Sequence, residues 1–270
     1  VGGLVLDAER EQLGNVHGVP LSFGTLPNIM TTIANNLQQV LGRMAQACQA
    51  AGRDPASVSL LAVSKTFGAD AVVQAVAAGQ RDFGENYIQE GVDKIVALRA
   101  ALPAVSLTWH CIGPIQSNKT RPVAEHFDWV HTVDRLKIAE RLSAQRPEHL
   151  PPLSVCIQVN IDGGATKSGV APAEAQALAR AVAKLPRLQV RGLMCIPDHA
   201  PEFEAQYALH TSARGLFDQI RAAREPGLEA FDTLSLGMTA DLEAAIRAGS
   251  TMVRVGTGVF GGRNYAAVSP

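Results

Sequence analysis

The run "VSLLAVSK" (58–65) ends a strand-like apolar segment on a lysine, and "TFGAD" then breaks into a turn. A lysine desolvated among apolar walls favours its neutral amine. A neutral amine attacks an aldehyde to form a Schiff base. The bland alternative is that Lys65 snorkels to solvent or pairs with a carboxylate such as Glu85. Two later stretches, "SLGMTADLEAAIRAG" (235–249) and "VRVGTGVFGG" (253–262), each carry a strand-like run into a turn of small residues. A helical pattern follows the first at once. The backbone N–H groups of Gly237, Met238 and Thr239 are therefore expected to open outward at a helix N-terminus, an arrangement that holds anions. Gly256 and Gly258 let a ligand approach the backbone, and Thr257 adds a hydroxyl donor. The alternative makes both stretches ordinary tight turns, with Thr239 as an N-cap and Asp241 and Glu243 balancing the helix dipole.

Positioning these groups requires a regular frame, and the chain supplies one from residue 58 onward. Short apolar runs alternate with alanine-rich stretches of helical period. The strand candidates are 58–65, 81–86, 107–113, 129–133, 154–160, 188–196, 233–237 and 251–257, eight in all. Segments such as "DAVVQAVAAG", "DRLKIAERLSAQ", "PAEAQALARAVAKL" and "ADLEAAIRAG" lie between them. Alternating strands and helices imply right-handed crossovers and a parallel sheet, and eight units close into a (β/α)8 TIM barrel. An open doubly wound sheet would show a Gly-x-Gly-x-x-Gly fingerprint after its first strand, and "SKTFGAD" has none. Before the barrel, "NIMTTIANNLQQVLGRMAQACQAAG" places Ile29, Ile33, Leu37, Val40, Leu41, Met44 and Cys48 at helical spacing and stops at Gly52. It is an extra N-terminal helix that covers or braces the barrel. Residues 1–27 show no sustained period and read as a disordered extension, 28–265 as one domain, and 266–270 as a tail. A chain starting at Met30 is expected to fold.

Composition narrows the partner. In 270 residues the formal net charge is −1, which offers no basic excess for nucleic acid or an anionic membrane. No stretch approaches the ~20 apolar residues that span a bilayer. Cys48, Cys111, Cys156 and Cys195 form no Cys-x-x-Cys pair, so neither a zinc site nor a disulfide scaffold is indicated, and the cytoplasm is the expected compartment.

In a parallel barrel the strand ends gather at one face, and the loops after the seventh and eighth strands often bind phosphate. Closure sets the eighth strand beside the first, so an anion held there sits next to Lys65. An aldehyde bearing a phosphate and joined to lysine describes pyridoxal 5′-phosphate. The motifs "LLAVSKT", "FGENYIQEGVDKI", "WHCIGPIQSNK", "HFDWVHTVDR", "KSGV", "RGLMCIP" and "LSLGMTADLEAAIRAGSTMVRVGTGVFG" resemble, in order and spacing, the YggS/PROSC family of pyridoxal-phosphate-homeostasis proteins. The resemblance covers about residues 28–265. It implies the barrel of alanine racemase and a monomeric cofactor carrier or regulator without an established reaction, with apo-enzymes as possible recipients. By position it makes Lys65 the imine lysine and Ser235, Gly237, Met238, Thr239, Gly256 and Thr257 phosphate contacts. It sets Arg254 against the pyridine nitrogen. The chain departs from the family at Thr239, where serine is commoner, and at Cys195, where alanine is commoner. The first change keeps a hydroxyl. The Cys195 thiol is expected to alter the pocket wall or make it sensitive to oxidation.

Other motifs leave choices open. Asn86, at the end of the second strand beside Lys65, either donates to the cofactor's phenolic oxygen or serves as a turn residue or cap. His110, in an apolar strand, reads as a satisfied core residue before a catalyst. Lys167, in the glycine-rich "NIDGGATKSGV", reads as part of a solvated loop before a phosphate-steering group. A cofactor-dependent racemase and a Schiff-base aldolase remain as alternatives to a carrier. Racemisation needs acid/base groups on both faces, and alanine racemase places one of them with a C-terminal domain. The chain continues only ten residues past Phe260, so that domain is not expected.

Overall fold

The computed structural model describes residues 26–164, 167–198 and 200–262. The expected 1–27 extension, save its last two residues, and the 266–270 tail lie outside the described residues. From residue 58 on, the expected alternation becomes eight strands: β1 (Ser59–Val63), β2 (Asp82–Glu85), β3 (Thr108–Cys111), β4 (Trp129–Val133), β5 (Leu153–Gln158), β6 (Leu188–Met194), β7 (Thr233–Ser235) and β8 (Met252–Val255). They pair in sequence order into a closed barrel. All neighbours are parallel, and β8 closes onto β1 with Leu61 beside Arg254 and Ala62 beside Val255. Each expected strand is present; 129–133 keeps its expected bounds, and the other seven are shorter. The last residues of those seven runs leave the ladder to build the loops at the barrel's C-terminal mouth.

Helices α1 (Leu26–Ala50), α2 (Ala69–Ala77), α3 (Ile88–Ala101), α4 (Thr120–His126), α5 (Leu136–Gln145), α6 (Pro172–Ala183), α7 (Phe203–Ala222), α8 (Leu242–Arg247) and α9 (Thr257–Phe260) accompany the strands. The main core lies between barrel and helices and includes Phe83, Trp109, Phe127, Ile157 and Leu193. A second, small cluster of Leu61, Val63, Ile112 and Met252 fills part of the barrel interior. Alternation along a strand therefore sends Lys65 inward with Leu61 and Val63, and Arg254 inward with Met252.

Helix α1 braces the barrel through the stripe Ile33, Leu37, Val40, Met44 and Cys48, all buried as expected. Leu41 departs from expectation and is 38% exposed, because it lies one residue, or about 100°, round from Val40 at the edge of the stripe. The polar flank of α1 grips the far end of the barrel: Asn36 donates to the Val259 carbonyl at 3.1 Å, and Arg43 donates to the Thr239 carbonyl at 3.0 Å and to both Glu243 oxygens. Among the described residues no helix is long and apolar enough to cross a membrane.

Candidate functional site

Lys65 stands two residues beyond β1, half-buried, on a turn held from behind. The turn needs holding because Thr66 adopts a left-handed φ of 67°, which is strained for a β-branched residue. Its N–H is bound by Glu90 Oε1 at 2.6 Å. Ser64, facing away from the barrel axis, donates to Glu85 Oε1 at 2.6 Å. Lys94 Nζ then ties the arrangement together, bonding the Ser64 carbonyl at 2.8 Å, Glu85 at 2.6 Å and Glu90 at 2.8 Å. Glu85 is fully buried and Lys94 nearly so. Burial pushes the Glu85 carboxyl up, opposed by Lys94 and Ser64. Glu85, the carboxylate weighed as a partner for Lys65, is thus the partner of Lys94.

Asn86 follows β2 and, by alternation with Asp82 and Gly84, points inward beside Lys65. Its Oδ1 is buried without a hydrogen-bond partner in the protein. Gly113 allows the close approach: a Cβ there would run into the Asn86 carbonyl oxygen. Arg254 lies inside the barrel, 5% exposed. It donates to the Ser235 carbonyl and hydroxyl, both at 2.7 Å, and to the Cys195 carbonyl at 2.9 Å. Three of its five N–H directions are so used, and two are left for a ligand. Burial lowers the Arg254 pKa, yet a guanidinium starts high enough to keep its charge.

The two glycine-bearing turns differ. After β8, Gly256 opens α9 and accepts from the Val259 and Phe260 N–H groups. The first-turn N–H groups of Thr257 and Gly258 have no intrahelical acceptor. Phe67 stacks on Phe260 at 5.1 Å and fastens the lysine turn to this one. Thr239 packs against Gly258.

After β7 the expectation fails in part. Gly237 takes φ 88°, a conformation suited to glycine, but α8 begins only at Leu242, with Asp241 rather than Thr239 in the capping position. Met238 N–H donates to Asp241 Oδ1 at 2.6 Å, so it does not open outward, and its side chain is 41% exposed. His210 holds the other Asp241 oxygen at 2.9 Å. Burial pushes the Asp241 carboxyl up, but the bonds from His210 and Met238 outweigh it and keep it below the ordinary value.

Two further expectations change. Cys195 belongs to the core between barrel and helices and does not line the pocket. Burial pushes its thiol up to about 12, so the thiolate that oxidants attack is scarce. Lys167 is no solvated loop residue: its Nζ bonds Asp162 at 2.6 Å and Asp198 at 2.8 Å and pins two loops together. Among the described residues no cluster suited to a metal ion is present. His110 is buried and bonded to His131 at 2.9 Å. The sequence reading passed over His131 in "WVHTV", although a second inward histidine one strand on was the available signal.

The profile of the alanine racemase N-terminal domain family matches residues 30–264. A pyridoxal phosphate homeostasis protein of Pseudomonas aeruginosa is 57% identical over 238 residues, covering 88% of this chain and 99% of that one. The Escherichia coli protein of the same name is 54% identical over 237 residues, with the same coverage. The chain belongs to the pyridoxal phosphate homeostasis protein family. The solved structure of PipY, the COG0325 family member of Synechococcus elongatus PCC7942, with PLP bound superimposes with a TM-score of 0.71 at 36% identity, covering 85% of this chain and all of that one. Alanine racemase of Corynebacterium glutamicum, at 19% identity and a TM-score of 0.60, shares the fold over 89% of this chain and 63% of its own.

Two predictions follow from the supports around Lys65 and Met238. Lys94→Met leaves Glu85 buried without its counter-charge and is expected to cost about 3–5 kcal/mol in urea unfolding, with part recovered in the Lys94→Met/Glu85→Gln double variant. Asp241 has a folded pKa depressed below its unfolded value of about 3.9, so its contribution is present above that pH and lost as pH falls through the folded value. Asp241→Asn is expected to destabilise by about 1–2 kcal/mol at pH 7 and to approach the parent near pH 3. A gap of equal size at both pH values would contradict this.

Proposed function

We propose that the chain holds pyridoxal 5′-phosphate as a Schiff base on Lys65 and serves intracellular homeostasis of that cofactor, keeping it and releasing it to apo-enzymes without efficient catalysis. The observation that supports the reading is the buried Arg254 guanidinium on β8 next to β1, with Lys65 on the turn two residues beyond β1 and the glycine-bearing turn after β8 beside it. The relatives' name and PLP-bound PipY support it. The residues fit the group: Lys65 offers the amine, Arg254 two unused donors, Asn86 an unpartnered buried oxygen, and Thr257 and Gly258 backbone donors for a phosphate. Thr257 and Thr239 add hydroxyls there, while Met238 contributes through its place in the Gly237 turn only.

When bound, pyridoxal phosphate supplies an aldehyde for the imine and a ring that draws electrons most strongly when its nitrogen is protonated. Arg254 keeps a positive charge on the wall facing that nitrogen and disfavours a proton there. The described tyrosines offer no second acid/base group: Tyr87 is 57% exposed, and Tyr207 is stacked with Phe203 beneath Arg247. Lys65 alone can act as a base, which leaves slow proton exchange but not turnover. A monomer suffices for this reading, since every proposed contact comes from one chain.

The purified, cofactor-loaded protein should absorb as a Schiff base, and borohydride should fix the label on Lys65 by peptide mapping. A label on Lys119 or Lys167 would overturn the assignment, and phosphorylated-sugar binding without any pyridoxal label would favour an aldolase. Incubation with alanine or serine in deuterated water should give negligible α-deuteration; rapid exchange with loss of optical activity would restore the racemase reading.

The turn after β8 gives a separate test. Charge-assisted hydrogen bonds contribute roughly 1.5–3 kcal/mol each. Thr257→Glu should therefore weaken pyridoxal phosphate on the order of 10- to 100-fold while affecting pyridoxal far less. Equal losses for both ligands would show that this turn does not hold the phosphate.

A further inference from the structure

Below the pocket, inside the barrel, five polar side chains form one hydrogen-bonded line. Arg254 Nη1 donates to Ser235 Oγ at 2.7 Å. Ser235 Oγ lies 3.0 Å from His131 Nδ1, His131 Nε2 lies 2.9 Å from His110 Nδ1, and His110 Nε2 lies 3.4 Å from Asp82 Oδ1. Ser235, His131 and His110 are buried. Asp82, at the start of β2 and so at the opposite end of the barrel from the pocket, has a side chain 39% exposed.

The two ends determine where every proton sits. A guanidinium only donates and a carboxylate only accepts. His110 must therefore carry its proton on Nε2 to meet Asp82, which leaves Nδ1 as an acceptor. His131 must then donate from Nε2 and accept at Nδ1, and the acceptor at Nδ1 takes the Ser235 hydroxyl proton. Ser235 is left with its lone pairs toward Arg254 and the pocket. One polarity satisfies all four contacts, with every donor pointing from Arg254 toward Asp82.

The surroundings keep the line neutral in its middle. Burial pulls the His131 pKa well below its ordinary value, and His110 and Arg254 add to that. Trp129 stacks on His110 at 5.3 Å. Arg191 sits over Trp129 and is paired with Asp232. Burial pushes the Cys156 thiol on β5 up to about 12, so it adds no charge.

We propose that this line is a one-proton relay between solvent at Asp82 and the pocket wall at Ser235, with Asp82 as the positioning residue that sets its polarity. A proton given to Ser235 Oγ by a ligand group lets Ser235 pass its own to His131 Nδ1. His131 passes its Nε2 proton to His110 Nδ1, and His110 passes its Nε2 proton to Asp82, which yields it to solvent. At each residue one bond to hydrogen forms and one breaks, at Nδ1 and Nε2 respectively on the histidines, and no electrons are exchanged. Afterwards every donor faces the pocket and Ser235 becomes a donor to the ligand. In the resting polarity Ser235 presents an acceptor, not a donor, toward the pocket. The relay rests on the reading above only for the identity of the ligand group beside Arg254.

Long-range proton–nitrogen NMR of protein with labelled histidine, without added cofactor and assigned with His110→Gln and His131→Gln, tests the relay. On both rings the proton shared along the line should sit on Nε2, and His131 should be singly protonated at neutral pH. Asp82→Asn, whose side chain can also donate, should shift proton occupancy toward Nδ1 on both rings, and Asp82→Glu should restore Nε2. A proton on His131 Nδ1 in the parent, a doubly protonated His131, or tautomers unmoved by Asp82→Asn would overturn the relay. A missing borohydride label on Lys65 with the tautomers as stated would instead overturn the cofactor reading, so the two failures are separable.

Discussion

The buried charge of Arg254 is the constraint on which the pocket depends. Taking a guanidinium out of water costs several kcal/mol even after relaxation. Here the offset comes from two carbonyls and one hydroxyl, with no carboxylate in contact. Those acceptors sit at the ends of β6 and β7, so the cation is tolerated only while three neighbouring strand ends stay in register. The pairing of Met194 with Ser235 and of Ser235 with Met252 supplies that register. Because neutral acceptors leave the positive charge uncancelled, the pocket favours an electron-rich or anionic occupant at any neutral pH. The barrel's closure then decides what else such an occupant meets, since β8 pairs with β1 and the next inward residue beyond that strand is Lys65.

Lys65 and Arg254 share the mouth but are held by different means. Arg254 is fixed at its head, with little freedom left. Lys65 is fixed at its backbone, where the Ser64, Glu85, Glu90 and Lys94 arrangement locks a strained turn and leaves the side chain to the pocket. That separation suits the Schiff-base role proposed for Lys65, in which a bond would form and break while its neighbours stay in place. It also explains why a second lysine, Lys94, is buried so close: it neutralises carboxylates that would otherwise draw Lys65 outward from the pocket.

The barrel was legible in the sequence because strand and helix periods alternate without interruption, and the position of Lys65 followed from strand ends and closure, whereas Arg254 was marked only by the family resemblance. What stayed hidden depends on contacts the period does not encode. The Glu90 and Lys94 spacing reads as an exposed pair on a helix, and only the fold buries it. Met238 was expected to offer its N–H because the chain turns there toward a helix, but a local bond from Asp241, three residues on, takes that donor first. His131 and Ser235 lie 104 residues apart, and their contact requires knowing both which residues face inward and that β4 reaches across to β7. Cys195 was assigned to the pocket wall by family position, whereas strand alternation, with Met194 inward, sends its thiol the other way.

The same distinction bears on α1, which the sequence marked only as a bracing helix. Its contacts fall on the turns proposed to hold phosphate: Val40 packs at Gly258, Asn36 bonds the Val259 carbonyl, and Arg43 bonds the Thr239 carbonyl. A ligand that orders the Thr257 and Gly258 turn must therefore favour the docked α1, and a loosened α1 must weaken that ligand by the same free energy, because coupling between sites is reciprocal. On the proposed reading, α1 is thus coupled to the turns beside the lysine through direct contacts of its own side chains.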